Sequence, residues 1–198
     1  MSLLRSAATI SGLTLLSRIS GLARDILVAR TFGASPLTDA FWVAFRIPNL
    51  LRRLFAEGAF SQAFVPILGE ARNRHDQDKV KVLLDHVFIV LLYALMLITV
   101  LGIIAAPWVV TAMATGMSHA STDTAFESAV WMTRVMFPYI LCMSLVAFAS
   151  AVLNTWSRFA IPAFTPILLN LSMILACVLF TDMFATPVYA LAVGVMLG

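Results

Sequence analysis

Charged residues are distributed unevenly along this chain. Three stretches, 87–118, 135–157 and 159–181, contain no Asp, Glu, Lys or Arg, and a fourth begins at 183 and continues to 198. A helix that crosses the hydrocarbon core of a bilayer needs about 20 apolar residues. The first three runs reach that length and the fourth stops short of it. The pattern therefore predicts membrane-spanning helices over about 84–114, 126–151 and 159–181, and an incomplete one over 186–198. The first 70 residues read differently. An uncharged run over 6–17 gives way to Arg18, Arg24, Asp25 and Arg30. After the turn signal at 33–36 (Gly-Ala-Ser-Pro), a second amphipathic stretch passes through Asp39, Arg46, Arg52, Arg53 and Glu57 to Leu68. These stretches predict two further spans, 7–32 and 37–68, with ionisable groups inside them. The expected fold class is all-α: a polytopic transmembrane bundle of about six spans occupying 1–198 as one lobe.

Composition agrees. The chain is 61% hydrophobic and 12% charged, with a mean hydropathy of +0.96. Soluble domains carry roughly 25% charged residues, and a soluble fold of this length could not enclose so much apolar surface. Disorder requires the opposite composition. Arg5 and the short apolar run after it are followed by no small-residue cleavage site before Arg18, so the first span is expected to be retained. The final residues, PVYALAVGVMLG, have no polar or basic flank. A helix ending in mid-bilayer would leave its last carbonyls and the carboxylate without partners. The expectation is therefore an N-terminal piece of a longer chain, lacking a C-terminal lobe.

The net charge of +3 is topogenic and does not point to a nucleic-acid partner. Arg5, the loop residues Arg72, Arg74, Lys79 and Lys81, and Arg158 alternate with segments 33–38, 116–127 and 182–187, which hold no Lys or Arg. The positive-inside rule then places the N-terminus in the cytoplasm. Cys142 and Cys177 both lie in apolar runs, where a thiol packs as a small hydrophobe. His75, His86 and His119 lack metal-ligand spacing. No phosphate loop, nucleophile elbow or paired-histidine motif is present, so no catalytic residue, metal or cofactor is expected. Pro162, Pro166 and Asn170 suggest a kinked fifth span, and Gly194 and Gly198 form a small-xxx-small pair suited to helix packing.

The informative residues are the charges inside the first two spans. A charged side chain near the bilayer centre costs ~2.5–3.5 kcal/mol on insertion scales. At about 100° per residue, Asp39, Arg46, Arg53 and Glu57 fall on one stripe, with Pro48 bending the helix below it. Arg18 and Asp25, seven positions apart, share a face of the first helix, and Arg24 points about 100° away. One reading is a set of internal salt bridges that lock two helices together. It leaves a surplus, because five arginines (18, 24, 46, 52 and 53) face three carboxylates (25, 39 and 57). A water-filled cavity with excess arginine suits an anion, and the planar guanidinium fork suits phosphate or diphosphate. The pattern supports an anionic site without naming the substrate.

Three segments resemble a known family. SRISGLARDILVARTFGA (17–34), TDAFWVAFRIPNLLRRLFAEGAFSQAFVPIL (38–68) and VLNTWSRFAIPAFTPILLN (152–170) are similar to the MurJ (MviN) lipid II flippases of bacteria, and the resemblance extends across the chain. It places the chain in the superfamily of multidrug, oligosaccharidyl-lipid and polysaccharide exporters. The resemblance implies fourteen helices, with two six-helix lobes around a central cavity, this chain being the first lobe. The family moves lipid II, the undecaprenyl-diphosphate-linked peptidoglycan precursor, from the inner to the outer leaflet of the cytoplasmic membrane by alternating access. By resemblance, Arg18, Arg24 and Arg52 are expected to hold the diphosphate. Asp25 and Asp39 would orient arginines, and Glu57 would pair across the intracellular gate. Arg46 and Arg53 are favoured by the spacing and less by the family motif. A further family arginine belongs to the second lobe and has no counterpart here, so the chain alone is expected to be inactive. An exporter of another anionic polysaccharide-lipid or of drugs is the alternative within the superfamily. A non-transporting scaffold with structural arginines is the alternative outside it.

Overall fold

The structure is a computed structural model that describes residues 3–56, 59–73, 77–113, 123–156 and 158–198, without the side chains at 3–7, 47, 51–56, 59–61, 71–73, 77 and 123. Among the described residues all regular structure is helical. In chain order the elements are α1 (Leu3–Phe32), α2 (Pro36–Ala56), α3 (Ala59–Asn73), α4 (Gln77–Met113), α5 (Asp123–Met136), α6 (Pro138–Thr155), α7 (Ala160–Leu179), a 3₁₀ turn (Thr181–Met183) and α8 (Tyr189–Leu197).

Among the described residues three stretches are long and apolar enough to cross a membrane: Asp78–Met113 in α4, Thr124–Thr155 through α5 and α6, and Ala160–Leu179 in α7. Among the described residues α4 carries more exposed large apolar side chains than any other helix, with Val90, Tyr93, Leu97, Leu101, Ile104 and Trp108 exposed along it. In water such a face would be an aggregation surface; in a bilayer it is the face that meets lipid. α1, at 30 residues, is long enough to cross, but charges interrupt it.

Local chemistry sets the α1–α2 connection. Gly33 has φ +62°, the left-handed conformation that glycine adopts without steric cost, and its N–H donates to the Ala29 carbonyl to close α1. Ser35 then opens α2, its Oγ accepting from the Thr38 N–H at 3.2 Å. Pro36 takes the first helical position, where a missing N–H costs nothing. Asp39 lies in the first turn, where a carboxylate meets the positive end of the helix dipole.

Two elements differ from the sequence expectation in their bounds. The stretch expected as one span over 37–68 consists of α2 and α3, separated by residues 57–58, which lie outside the described residues; α3 continues to Asn73. The stretch expected over 126–151 is interrupted at Phe137, because Pro138 has no N–H to donate to the preceding turn. The interruption is confined to one residue: Phe137 keeps helical angles, and its N–H still donates to the Thr133 carbonyl at 2.9 Å. α7 runs without a break through Pro166.

The packing uses small residues for close approach. α1 lies along α7, α2 packs on α5 and α6, and α8 packs on α7 and α5. The main core joins Phe41, Ala44 and Phe45 of α2 to Met132 and Met136 of α5, Met173 and Cys177 of α7, and Leu191 and Val195 of α8. At Gly194 an added Cβ would stand 2.6 Å from the Ala176 Cβ, and Ser172 donates from its hydroxyl to the Gly194 carbonyl. At Gly102 an added Cβ would overlap the Phe137 ring. That ring, with Leu95 and Ile140, forms a separate cluster between α4 and α6.

Candidate functional site

α1 lies along α7 but scarcely touches α2. The space left between them is a cavity of about 330 Å³, closed on its remaining side by α6. Its polar lining comes from Ser17, Arg18 and Arg24 of α1, Asn49 of α2, and Thr165 and Asn170 of α7, and Phe45, Met143 and Leu169 supply apolar wall. Arg18 and Arg24 sit near the middle of α1, and Asn170 is the middle of α7. An amphipathic helix places such residues together because positions three or four apart share a face: Ser17, Gly21 and Arg24 step along the face of α1 that meets α7.

Arg24 is the most constrained charge in the cavity. Its Nε and Nη2 donate to the same oxygen, Oδ1, of Asp25 at 3.0 and 2.8 Å. Its Nη1 donates to Asn170 Oδ1 at 2.9 Å and lies 4.0 Å from the Met173 sulfur. The guanidinium is thus tied to its own helix on one side and to α7 on the other. The Arg24 side chain is 17% exposed and that of Asp25 54% exposed, so the arginine is largely buried while the carboxylate is exposed. Asn170, 7% exposed, also donates from Nδ2 to the Ser17 carbonyl and to Ser20 Oγ, each at 3.0 Å. Gly21 faces the same amide, and a Cβ there would stand in ordinary contact with it, 3.5 Å from Asn170 Nδ2.

The other expected site residues are placed as follows. Arg18 lines the cavity, is exposed, and has no ion-pair partner among the described residues. Arg24 and Asp25 form an ion pair with each other. Adjacent residues lie about 100° apart on a helical wheel, yet the long arginine side chain turns back over its neighbour. Asp39 and Arg46 are exposed and neither lines the cavity nor forms an ion pair among the described residues. On α2 the face turned to the cavity is that of Phe45 and Asn49, one position away from Arg46. The side chains of Arg52 and Arg53, and Glu57 altogether, lie outside the described residues.

Asn170 is the site residue that charge counting does not find. The sequence holds its signal nonetheless: it is the one amide in α7, and a buried polar group in an apolar helix requires a partner. Ser17 and Ser20 carry no such signal, because a hydroxyl in a helix satisfies itself on a carbonyl of the preceding turn, as Ser20 does on Ser17 at 2.9 Å.

Chemically, the cavity offers a fixed guanidinium, a second arginine with open donors, and uncharged hydroxyl and amide groups around them. It contains no nucleophile–base pair. Guanidiniums among neutral hydroxyl and amide groups have the donors to hold an anion.

Comparison with known proteins gives a consistent picture. The family model described as lipid II flippase MurJ matches residues 28–198. A lipid II flippase MurJ of Burkholderia cenocepacia is 56% identical over 198 residues, all of this chain and 38% of the relative. A probable lipid II flippase MurJ of Haemophilus influenzae is 40% identical over 191 residues, 94% of this chain and 38% of the relative. A solved structure of lipid II flippase MurJ in an inward closed conformation superposes with a TM-score of 0.73 at 28% identity, covering 95% of this chain and 39% of that one. The chain therefore spans about 38% of the length of the curated relatives it matches. The family-model match begins beyond Arg24 and Asp25, whereas the Burkholderia relative aligns across them.

Proposed function

Since the chain belongs to the lipid II flippase MurJ family, we propose that it is the N-terminal lobe of a transporter that moves lipid II from the inner to the outer leaflet of the cytoplasmic membrane. The protein is then multi-pass, with its N-terminus in the cytoplasm, and works by alternating access together with the lobe that follows in its relatives. The observation that carries this reading is the cavity in which Arg18 and Arg24 stand together against Asn170.

The chemistry follows from the charges. The diphosphate of lipid II, esterified at both ends, is a dianionic group that has to cross a region where an isolated ion costs several kcal/mol. Arg24, fixed by Asp25 and Asn170, offers a preorganised fork, and Arg18 adds a second positive charge that is uncompensated among the described residues. At about 330 Å³ the cavity is at the small end of the ~300–1,000 Å³ range of ligand pockets. It suits the diphosphate and leaves the disaccharide-peptide to extend toward the second lobe. Arg52 follows Asn49 by three positions along α2, and it is assigned to the diphosphate with Arg18 and Arg24. Asp25 orients Arg24 here, and Glu57 is assigned to the cytoplasmic gate. Asp39, exposed in the first turn of α2, is assigned to orienting an arginine outside the described residues or in the second lobe, and Arg46 and Arg53 to supporting the cavity rim.

The test is the amount of lipid II exposed on the outer leaflet, read by its susceptibility to an externally added degrading enzyme, in cells depleted of their own flippase. The full-length gene is expected to restore exposure. Its Arg24→Ala form, at matched membrane level, is expected to restore about a tenth as much or less, the scale of losing a hydrogen bond to a charged group. Equal restoration by Arg24→Ala would mean that the arginine is structural, and failure of the intact gene would favour a different exported substrate.

A further inference from the structure

Asn170 does something in the cavity that a simple lining residue does not. We propose that Asn170 is a positioning residue that presents Arg24 to the bound diphosphate, a role that rests on the reading of the cavity given above.

The proton inventory fixes the direction of its amide. A guanidinium has only donors and a backbone carbonyl only accepts. The group facing Arg24 Nη1 must therefore be the amide oxygen, and the group facing the Ser17 carbonyl must be the NH2. With that orientation every partner is matched: Oδ1 accepts from Arg24 at 2.9 Å, and Nδ2 spends both protons on the Ser17 carbonyl and Ser20 Oγ. Ser20 in turn donates its own proton to the Ser17 carbonyl. An aspartate would face that carbonyl with a second acceptor, and a leucine would offer neither group. Asparagine joins a pure donor to a pure acceptor at this length without adding charge.

The consequence for Arg24 comes from geometry. Asp25 alone is a poor anchor, because it sits beside Arg24 on the same helix, uses a single oxygen and is more than half exposed. Asn170 belongs to another helix and is buried. It fixes the far end of the guanidinium, so that the remaining N–H of Nη2, which has no partner among the described residues, is held in a set direction. Preorganised donors bind an anion more tightly than mobile ones, since less rotamer freedom is lost on binding.

The experiment uses the full-length protein in lipid nanodiscs and measures binding of undecaprenyl diphosphate, with undecaprenyl monophosphate as the weaker-charge control. The variants are Asn170→Leu, Arg24→Ala, the two combined, and Ser20→Ala. Asn170→Leu is expected to weaken diphosphate binding about ten-fold at unchanged folded fraction, with a smaller effect on the monophosphate. In the Arg24→Ala background it is expected to cause no additional loss, because its action runs through that side chain. Wild-type binding by Asn170→Leu, or losses that multiply in the double variant, would overturn the positioning role. Should Asn170→Leu fail to fold, Ser20→Ala decides: it withdraws one of the two acceptors that aim the amide and is expected to bind several-fold more weakly, and wild-type affinity would overturn the proposal. Wild-type binding by Arg24→Ala would instead overturn the cavity reading itself, and this role with it.

Discussion

A charge persists inside an apolar helix only where something stands in for water, and Arg24 shows what that takes. Asp25 supplies the countercharge and Asn170 the neutral acceptor, and together they use the planarity of the guanidinium. Lysine carries the same charge as a single point on a flexible stem and cannot meet both partners in fork geometry. Arg24→Lys is therefore expected to lower outer-leaflet lipid II exposure about ten-fold, the scale of one lost charge-assisted hydrogen bond, at unchanged membrane level. Exposure equal to wild type would show that charge alone is used. At this scale the sequence was partly legible. Arg18, Arg24 and Asp25 are visible because each is costly where it lies. Asp39 and Arg46 were grouped with the cavity by helical spacing, which fixes the angle between residues but not which side of the helix meets a neighbour. The rotation that turns Phe45 and Asn49 inward leaves Arg46 outside. Asn170 was visible only as an oddity beside two prolines, because its partners lie about 150 positions away.

At the level of the helices, apolar runs translate directly into elements, whereas their interruptions depend on single residues. The run over 159–181 corresponds to α7 almost residue for residue, and the run over 87–118 supplies the apolar part of α4, which begins ten residues earlier at Gln77, since little but length and hydropathy is involved. The break at Phe137 has a different origin. Pro138 removes one hydrogen bond, and the ring of Phe137 fills the hollow that Gly102 leaves on α4. That fit joins two helices distant in sequence and has no local signature, because a glycine in a span reads equally well as a packing site or as a tolerated gap. Gly102→Val is expected to destabilise the full-length protein by about 1–3 kcal/mol, as overpacking of a filled core does. The measurement is thermal unfolding in detergent, where Gly12→Ala, at a position with open space around it, serves as the control with no loss. An unchanged melting temperature for Gly102→Val would mean that α4 and α6 separate easily at this point.

On the scale of the whole molecule, this chain spans part of the length of its relatives. It covers about 38% of that length, and the arginine cavity is lined by residues of α1, α2, α6 and α7. On the function proposed above, these residues grip the charged end of the lipid. The remaining polar groups of the substrate would be met by the rest of the full-length protein, in keeping with an alternating-access carrier in which two bundles rock about a site near the midplane. The membrane character and helical class were legible from composition alone. The division of labour between the lobes was not, because it depends on surfaces that meet only in three dimensions.

The most direct test places the substrate itself. A photoreactive polyprenyl diphosphate, irradiated with the full-length protein in nanodiscs and mapped by peptide mass spectrometry, is expected to label α1 over 17–24 and α7 over 165–170, to be competed by undecaprenyl diphosphate, and to lose most of this labelling in the Arg18→Ala, Arg24→Ala double variant. Labelling of these segments that persists undiminished in the double variant, or that falls elsewhere in the protein, would contradict the assignment of this cavity as the diphosphate site.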